Sequence, residues 1–385
     1  MDYRALPVTV LVCCSLAACS EAPEASSSGG MAGQATTAGQ AGTPGGGMTS
    51  AGQSSTAGTA GSTGGGGSSA GTSGAGGSVT GGSGGSGGNA GGSGGGAGTG
   101  GAGACMEAGT PGKTGKQCDP GTMGNGPFDQ VEPQENLPPE AMGTPEGELA
   151  ANKTLQSTVY GYGFTYRTYK PTAYQAGKPA ALMVFQDGTN YTGNFKAPRV
   201  FDALIKDGSV PVTISVYVQP NQRGAEYDTR SDKYGKMLTT ELIPEIAKSF
   251  DLVDDPNGWA IAGHSSGGSC AFNAAWWFPD KFRKVITHSG SFTDLANPGD
   301  DEYIELVKTE PKKPLRVSLM SGTMDLDNQF GNWMEANTEM AKSFEMAGYA
   351  YRFAKSTTAH GPTKWHIADF PDAMRWMWRG YTLPQ

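Results

Sequence analysis

The fold of this chain is decided by residues 258–278, which read Gly-Trp-Ala-Ile-Ala-Gly-His-Ser-Ser-Gly-Gly-Ser-Cys-Ala-Phe-Asn-Ala-Ala-Trp-Trp-Phe. Residues 259–262 form a short apolar run of the kind found in buried strands, and residues 271–278 can form a helix that packs over such a strand. Ser265 lies between them in a tight, glycine-rich corner. This order of strand, corner and helix predicts that the Ser265 hydroxyl projects above the edge of a sheet.

The corner at Ser265 has the composition of a nucleophile elbow, the turn that carries the catalytic serine of α/β-hydrolases. Gly263 and Gly267 lack the side chains that would collide where strand and helix approach each other. The pattern Gly-x-Ser-x-Gly alone is weak in a chain with 61 glycines, and residues 81–85 match it too. Only Ser265 has a strand pattern before it and a helix pattern after it. We therefore predict Ser265 as the nucleophile, with an ordinary turn serine as the alternative.

Strand-like and helix-like runs alternate from residue 148 to residue 385. Residues 180–185 are continuously apolar, as in a central parallel strand that is buried on both faces. Repeated strand and helix with right-handed crossovers predicts an α/β-hydrolase fold, a mostly parallel, doubly wound sheet flanked by helices. The other predicted strands are 212–218, 284–288, 315–320 and 349–354, and the predicted helices are 199–205, 232–250, 302–308, 333–346 and 366–378.

The first 19 residues predict an export signal. An apolar run too short to span a bilayer leads into Leu16-Ala17-Ala18-Cys19, which matches a bacterial lipoprotein signal in which the cysteine is lipidated and becomes the mature N-terminus. A plain secretory signal cleaved near Ala18 is the alternative. We therefore expect export and membrane anchoring through Cys19, and Ser20 after the cysteine favours the outer membrane, on its periplasmic or its surface face.

Residues 20–104 consist mainly of Gly, Ser, Ala and Thr, and their only charged residues are Glu21 and Glu24. Such a segment buries too little apolar area to offset the entropy lost on ordering, so we predict a disordered tether. As a flexible coil it has an end-to-end distance on the order of 50 Å. We expect the tether to let the catalytic domain lie at a distance from the membrane anchor and to contribute no catalytic residues.

A lead-in rich in Gly and Pro, residues 105–147, precedes the catalytic domain that we expect at 148–385. Cys105 and Cys118 bracket a polar loop in this lead-in, and in an oxidising compartment they are predicted to form a disulfide. Cys270 follows the elbow on an apolar helix face and is expected to pack as a small buried thiol.

The composition excludes several functional classes. The net charge is −8 and the basic residues are scattered, so nucleic acid is not an expected partner. The metalloprotease pattern His-Glu-x-x-His and zinc-type cysteine pairs are absent, and matches to Gly-x-Gly-x-x-Gly fall in the tether. We therefore predict neither a metal nor an organic cofactor.

A serine hydroxyl is a weak nucleophile until a base accepts its proton, and the chain has only four histidines. His264 is expected to point away from the serine, and His288 precedes any acid in the order Ser, Asp or Glu, then His. We predict His360 as the base because it lies in the flexible loop 356–362. His366, at the start of the last predicted helix, is the alternative base or a residue near the substrate.

The acid that orients the base is expected after the strand predicted at 315–320, where the chain leaves through a glycine. Asp325 is our choice and Asp327 is the alternative, and the one that is not catalytic would cap a turn. The oxyanion needs two backbone donors. We predict the amide of Ser266 and that of Gly188 or Thr189.

Seven motifs follow one another between about residues 155 and 380. They are Gln186-Asp187-Gly188, Arg223 with Glu226-Tyr227, Glu241-Leu242-Ile243-Pro244, Gly263-His264-Ser265-Ser266-Gly267-Gly268, Phe278-Pro279-Asp280-Lys281-Phe282, Ser289-Gly290-Ser291 and His360. Together they resemble the enterochelin-esterase-like esterases, relatives of esterase D and of carbohydrate esterases that remove feruloyl or acetyl groups. The resemblance implies a carboxylic-ester hydrolase with Ser265 as nucleophile and His360 as base.

The expected function is thus that of an exported serine esterase that forms an acyl-enzyme on small-molecule or glycan-linked esters. A feruloyl or acetyl carbohydrate esterase, an acyltransferase of the same fold and a non-catalytic surface binding protein are the alternatives. Export sets this chain apart from cytoplasmic siderophore esterases, so the substrate stays open. Arg223 and Glu226 either contact the substrate or pair with each other to hold their loop, and the second role is the default.

Overall fold

The structure is a computed structural model that describes residues 105–108, 113–118, 126–129, 137–297 and 302–385. The signal predicted at 1–19, the lipid site Cys19 and the tether at 20–104 lie outside these residues. No helix in the described ranges has the length and apolar character needed to cross a membrane.

Fifteen strands and nine α-helices are found in the described part of the chain. The strands are β1 (Cys105–Glu107), β2 (Lys116–Cys118), β3 (Gly126–Asp129), β4 (Glu148–Leu149), β5 (Lys153–Gln156), β6 (Gly163–Lys170), β7 (Ala181–Phe185), β8 (Thr213–Gln219), β9 (Trp259–His264), β10 (Lys284–His288), β11 (Arg316–Met324), β12 (Asp327–Asn328), β13 (Gly331–Asn332), β14 (Ala350–Ala359) and β15 (Tyr381–Thr382). The helices are α1 (Gly188–Gly193), α2 (Ala197–Lys206), α3 (Arg223–Tyr227), α4 (Lys233–Met237), α5 (Ile243–Ala247), α6 (Ser266–Trp277), α7 (Glu302–Thr309), α8 (Trp333–Met346) and α9 (Lys364–Trp378).

One sheet organises the domain. Among the described residues its strand order is β3-β14-β11-β10-β9-β7-β8-β6-β4, with β5 paired to β6. The pairs from β3 through β8 are parallel, and only the β6 edge is antiparallel. The predicted α/β-hydrolase fold, a mostly parallel sheet flanked by helices, is confirmed.

Strand β7 shows why its sequence is continuously apolar. Val184 joins the apolar layer on one face of the sheet, together with Phe272 of α6. Its neighbour Phe185 joins the layer on the other face, together with Phe201 of α2 and Phe370 of α9. Because successive side chains of a strand point to opposite faces, a strand covered on both sides has no solvent-facing position.

The region predicted as one helix at 232–250 consists of consecutive helical segments with different hydrogen-bond spacing. It consists of α4, a π-helical segment at Leu238–Leu242 and α5. Pro244 lies in the first turn of α5. Because proline has no backbone N–H and its ring clashes with the preceding turn, it distorts the hydrogen bonding of a regular α-helix. The wider π-turn before Pro244 accommodates it.

Strands β11 and β14 are longer than predicted, and this length positions the site. They pair in parallel, with Met324 opposite Ala359 after an irregularity between Gly322 and Met324. The residues that follow these two positions, Asp325 and His360, therefore leave the sheet side by side.

The lead-in contributes to the sheets. Strand β3 pairs in parallel with β14, so the central sheet includes residues upstream of the domain boundary expected at residue 148. In a second sheet, β2 pairs with β1 and with β15, and its register places Cys105 opposite Cys118. Cys118 is disulfide-bonded. Cys270 is a free, buried thiol.

Candidate active site

Ser265 forms the corner between β9 and α6. Its backbone has φ 57° and ψ −130°, a conformation that a residue other than glycine rarely adopts. A Cβ atom at Gly263 would lie 1.9 Å from the Gly267 carbonyl oxygen, and one at Gly267 would lie 2.8 Å from Asp187 Oδ2. Gly263 is therefore required by the close approach of strand and helix, as the sequence predicts, whereas Gly267 is required by the Asp187 side chain that follows β7.

The elbow is anchored to the neighbouring strand β10. The Ser265 N–H donates to the carbonyl oxygen of His288 at 2.9 Å, and the Ser291 N–H donates to the Ser265 carbonyl oxygen at 3.1 Å. The two serine hydroxyl oxygens lie 3.5 Å apart. These contacts connect the strained backbone of the corner to the end of β10 and to the loop that follows it.

His360 links the serine to a carboxylate. Its Nε2 lies 2.9 Å from Ser265 Oγ, and its Nδ1 lies 2.6 Å from Asp325 Oδ1. The Asp325 side chain is fully buried, whereas 19% of the His360 side chain is exposed. The structure therefore brings together the three residues that the sequence analysis selected as nucleophile, base and acid.

Asp325 is held in its ionised form. Burial by itself would raise the pKa of its carboxyl group, but hydrogen bonds from His360, Ser289 and the Leu326 N–H outweigh burial and lower the pKa to about 2. Ser321 Oγ donates to the second carboxylate oxygen at 2.8 Å. The Asp325 carboxylate therefore remains negatively charged at neutral pH. It accepts a hydrogen bond from Nδ1–H of His360 and so fixes the tautomer of this ring.

The two alternative residues lie elsewhere. Asp327 belongs to the exposed strand β12, opposite Asn332 of β13. His366 is buried in the first turn of α9, and its Nε2 contacts Ser289 Oγ at 3.0 Å. Burial lowers the pKa of His366 to about 3. Within the described ranges no hydrogen bond joins Asp327 to His360 or His366 to Ser265.

The predicted oxyanion donors lie at the starts of two helices that meet. Ser266 begins α6 and Gly188 begins α1, with Thr189 next. Amides in the first turn of a helix have no intrahelical acceptor. A Cβ atom at Gly188 would lie 2.6 Å from the Tyr217 backbone, so only glycine fits there. A Cβ atom at Gly267 would lie 2.8 Å from Asp187 Oδ2. The corner at Ser265 and the corner at Asp187, between β7 and α1, therefore approach each other closely.

Arg223 and Glu226 do not pair with each other. Arg223 donates two hydrogen bonds to the Asp187 carboxylate, from Nε to Oδ1 at 3.2 Å and from Nη2 to Oδ2 at 2.9 Å. Its Nη1 donates to Ser266 Oγ. Glu226 is buried and accepts hydrogen bonds from the Gln222 N–H at 2.7 Å and from the Tyr162 hydroxyl at 2.8 Å. Arg223 thus joins the two corners that carry the predicted oxyanion donors, and Glu226 caps its own loop.

Sequence reasoning missed two further features of the site. All four histidines of the chain cluster there, with ring centroids 5.1 Å apart for His264 and His360, 5.6 Å for His264 and His366, and 5.9 Å for His288 and His366. The Trp333 ring lies edge-on to His360 at 5.7 Å. No signal in the sequence marks Trp333, whereas the placement of three histidines at strand ends or at a helix start could have indicated the cluster. In the described part of the chain no group of His, Cys, Asp and Glu side chains could hold a metal ion.

The sequence of this chain is similar to those of known esterases. A family model described as "Putative esterase" matches residues 157–377. The iron(III) enterobactin esterase of Dickeya dadantii (strain 3937) is 28% identical over 154 residues, which are 36% of this chain and 34% of that protein. The chain thus matches about a third of the length of this curated relative.

Solved structures show the same fold. Enterochelin esterase from Shigella flexneri is similar with a TM-score of 0.55 at 17% identity, over 64% of this chain and 62% of that one. A ferulic acid esterase is similar with a TM-score of 0.50 at 20% identity, over 61% of this chain and all of that one. The family match covers more than half of the chain and includes Ser265, Asp325 and His360. The chain therefore belongs to the esterase family that this model describes.

Proposed function

We propose that this protein is an exported serine carboxylic-ester hydrolase that works through an acyl-enzyme. The observation that carries the proposal is the unbroken pair of hydrogen bonds from Asp325 through His360 to Ser265. Membership of an esterase family and similarity to enterobactin and ferulic acid esterases support the same reaction class.

In the proposed first step, Ser265 Oγ attacks the ester carbonyl carbon while His360 Nε2 accepts the hydroxyl proton. The carbonyl oxygen becomes an oxyanion between the amide of Ser266 and that of Gly188 or Thr189. His360 then returns the proton to the leaving alkoxide, and the alcohol departs. Water attacks the acyl-enzyme with His360 as base again, which releases the acid and restores the Ser265 hydroxyl.

For the substrate we propose a small-molecule or glycan-linked ester, with an apolar or aromatic acyl group favoured over acetyl. Met324 and Leu326, which flank the acid in the chain, are large apolar side chains that remain 68% and 37% exposed. Exposed apolar side chains next to a catalytic residue in the chain are candidate contacts for an apolar or aromatic acyl group. This supports a feruloyl-type esterase as the first alternative to a siderophore esterase, and a panel of aryl, feruloyl, acetyl-sugar and cyclic siderophore esters separates the two.

An acyltransferase of the same fold would use the same acyl-enzyme but pass the acyl group to an alcohol in place of water. Product analysis in the presence of alcohol acceptors distinguishes it from a hydrolase. A non-catalytic surface binding protein would give no product with any ester.

Export and anchoring through a lipid on Cys19 are part of the proposal and rest on Leu16-Ala17-Ala18-Cys19. Cells that express the full chain and are fed an alkyne fatty acid should incorporate the label into the protein. Cys19→Ser should abolish the label and release the protein from the membrane fraction. Equal labelling of the variant would contradict lipidation at this residue.

The hydrolase proposal is tested with a fluorophosphonate probe and nitrophenyl esters. We expect the probe to label Ser265, and Ser265→Ala to lose both labelling and hydrolysis. Ser343→Ala is the matched control, because Ser343 is a buried serine of α8 whose hydroxyl donates to the Glu339 carbonyl oxygen. Unchanged turnover in Ser265→Ala would end the proposal.

A further inference from the structure

Ser291 lies beside the nucleophile, in the loop that follows β10. Its N–H donates to the Ser265 carbonyl oxygen at 3.1 Å, and its Oγ lies 3.5 Å from Ser265 Oγ. Only 1% of Ser291 is exposed. The catalytic steps proposed for Ser265, His360 and Asp325 leave this neighbouring hydroxyl without a role.

The indole of Trp333 determines which way the Ser291 hydroxyl points. Trp333 Nε1 lies 3.1 Å from Ser291 Oγ, and an indole N–H can only donate. Ser291 Oγ is therefore the acceptor of this bond, and its own proton is directed to a different atom. Within the described residues, the other hydrogen-bond contact of Ser291 Oγ is with Ser265 Oγ.

The hydroxyl proton of Ser265 points in the opposite direction, toward the base. The Asp325 carboxylate accepts from His360 Nδ1 at 2.6 Å, so in the neutral imidazole Nδ1 carries the ring proton and Nε2 presents a lone pair. Ser265 Oγ, at 2.9 Å, donates to this lone pair. Between the two serines, Ser291 is then the donor and Ser265 the acceptor. The hydrogen bonds therefore run in one direction, from Trp333 through Ser291 and Ser265 to His360.

We propose that Ser291 donates a hydrogen bond to the nucleophilic oxygen, and that Trp333 is a positioning residue that holds Ser291 in this donating orientation. The inference rests on the proposed function, because it concerns the nucleophile of the same site. As His360 takes the proton of Ser265, negative charge develops on Ser265 Oγ, and this charge strengthens the hydrogen bond from Ser291. The same charge returns when the acyl-enzyme is cleaved and Ser265 Oγ is the leaving group.

The contact between the two serine hydroxyls is long in the resting protein, but the structure around it is firmly held. Hydrogen bonds between hydroxyl groups are usually about 2.7–2.8 Å long, and catalytic ones are often longer before the substrate binds and tighten afterwards. Asn337 Nδ2 donates to the carbonyl oxygens of both Gly290 and Trp333, at 2.8 Å each. This bridge fixes the loop that carries Ser291 against the start of α8.

A purely structural role for Trp333 would require only its ring and its backbone. The ring lies edge-on to His360, and the Trp333 N–H donates to the Leu326 carbonyl oxygen at 2.9 Å, which closes the β12–β13 hairpin. Trp333→Phe keeps an aromatic ring and this backbone bond but removes the indole N–H. Without that N–H, the Ser291 hydroxyl is free to turn and to accept the Ser265 proton, which draws the proton away from His360.

The test uses full-length protein and nitrophenyl ester kinetics, with cooperative thermal unfolding as the measure of folding. We expect kcat to fall about tenfold in Ser291→Ala and about threefold in Trp333→Phe, with KM little changed. The double variant should be no slower than Ser291→Ala, because Trp333 acts through the Ser291 hydroxyl. Trp277→Phe is the matched control. It also removes an indole N–H that donates to a side-chain oxygen, here that of Asn273 on α6, and it should keep wild-type kcat.

A second measurement, independent of ester turnover, is the rate at which a fluorophosphonate labels Ser265. We expect slower labelling in Ser291→Ala and Trp333→Phe and an unchanged rate in Trp277→Phe. Wild-type kcat in Ser291→Ala, losses that multiply in the double variant, or an equal loss in Trp277→Phe would each overturn the proposal. Ser291→Ala keeps the test decisive if Trp333→Phe does not fold. If the wild-type protein reacts with the probe but hydrolyses no ester, the proposed function fails while the labelling rates still test the inference.

Discussion

His360 Nε2 lies 2.9 Å from Ser265 Oγ, although 95 residues separate them in the chain. The two residues follow strands β14 and β9, which are not neighbours, because β10 and β11 lie between them. The contact therefore depends on the length of β14, which extends to Ala359 and carries the histidine back over the sheet edge toward the elbow. A few residues more or fewer in this strand would break the contact.

Asp325→Asn should lower kcat by about 10³- to 10⁴-fold, because an amide no longer fixes the Nδ1–H tautomer or stabilises the imidazolium. The asparagine oxygen still accepts a hydrogen bond from either Ser321 Oγ or the Leu326 N–H, so folding should be retained. Asp327→Asn is the matched control on exposed β12 and should keep wild-type kcat. Equal effects of the two substitutions in steady-state assays would exclude Asp325 as the acid.

Gly263→Ala should prevent formation of the elbow, since the added Cβ would lie 1.9 Å from the backbone oxygen of Gly267. We expect the soluble, folded fraction to be lost and the melting temperature to fall sharply. Gly193→Ala is the control, because nothing lies within 4 Å of a Cβ at that position, and its stability should be equal or slightly higher. A stable Gly263→Ala protein with an intact probe reaction would contradict the elbow geometry.

Arg223→Lys should reduce kcat/KM about tenfold, because lysine keeps the charge but cannot bond both Asp187 oxygens and Ser266 Oγ at once. The expected cause is a looser alignment of the two predicted oxyanion corners. Arg375→Lys, in a surface cluster with Glu140 and Asp207, should leave ester hydrolysis unchanged. The proposal for Arg223 fails if both variants behave alike.

Three buried histidines predict the sign of the pH dependence of stability. Burial lowers the pKa of His264, His288 and His366 from the ordinary value of 6.5. As the pH falls below about 6.5, each takes up a proton in the unfolded chain but not in the folded one. The free energy of unfolding should therefore decrease toward acidic pH, by up to about 1.4 kcal/mol per pH unit for each histidine.

His288→Asn isolates one of these contributions, since it keeps a polar partner for the Tyr191 hydroxyl and removes the titrating ring. The free energy of unfolding, measured with urea between pH 7 and pH 4, should depend less steeply on pH than in the wild type. The difference in slope should correspond to about one proton fewer taken up on unfolding. A slope equal to that of the wild type would show that His288 is not held neutral in the folded protein.

Cys105 and Cys118 should form a disulfide when the protein is produced under oxidising conditions. The antiparallel register places them opposite each other, which brings the Cα atoms to within the range that a disulfide spans. Peptide mapping without reductant should recover the two cysteines in one linked peptide. Cys118→Ser should lower the melting temperature of the oxidised protein but not of the reduced one, and free thiols at both positions would contradict the prediction.

Local pattern accounted for much of the fold because local chemistry dictates it. Strand β10 and helix α8 begin and end at the predicted residues, since β10 is fully buried and α8 is capped by Asn332. The end of β11 was missed because Ser321-Gly322-Thr323 has the composition of a turn. In the structure, Gly322 lies against Thr358 of β14, where a Cβ would be 2.4 Å from a backbone oxygen, and the strand continues.

The amino-acid sequence by itself indicated the elbow at Ser265, the alternation of strands and helices, and the chain order of the proposed nucleophile, base and acid, with Asp325 between Ser265 and His360. These features depend on residue types within a few positions of one another. The tertiary structure alone decided between Asp325 and Asp327 as the partner of His360, and between His360 and His366 as the partner of Ser265. It also joined Arg223 to Asp187 and gathered the four histidines, because contacts across a sheet depend on strand register and length, which nearby residues do not encode.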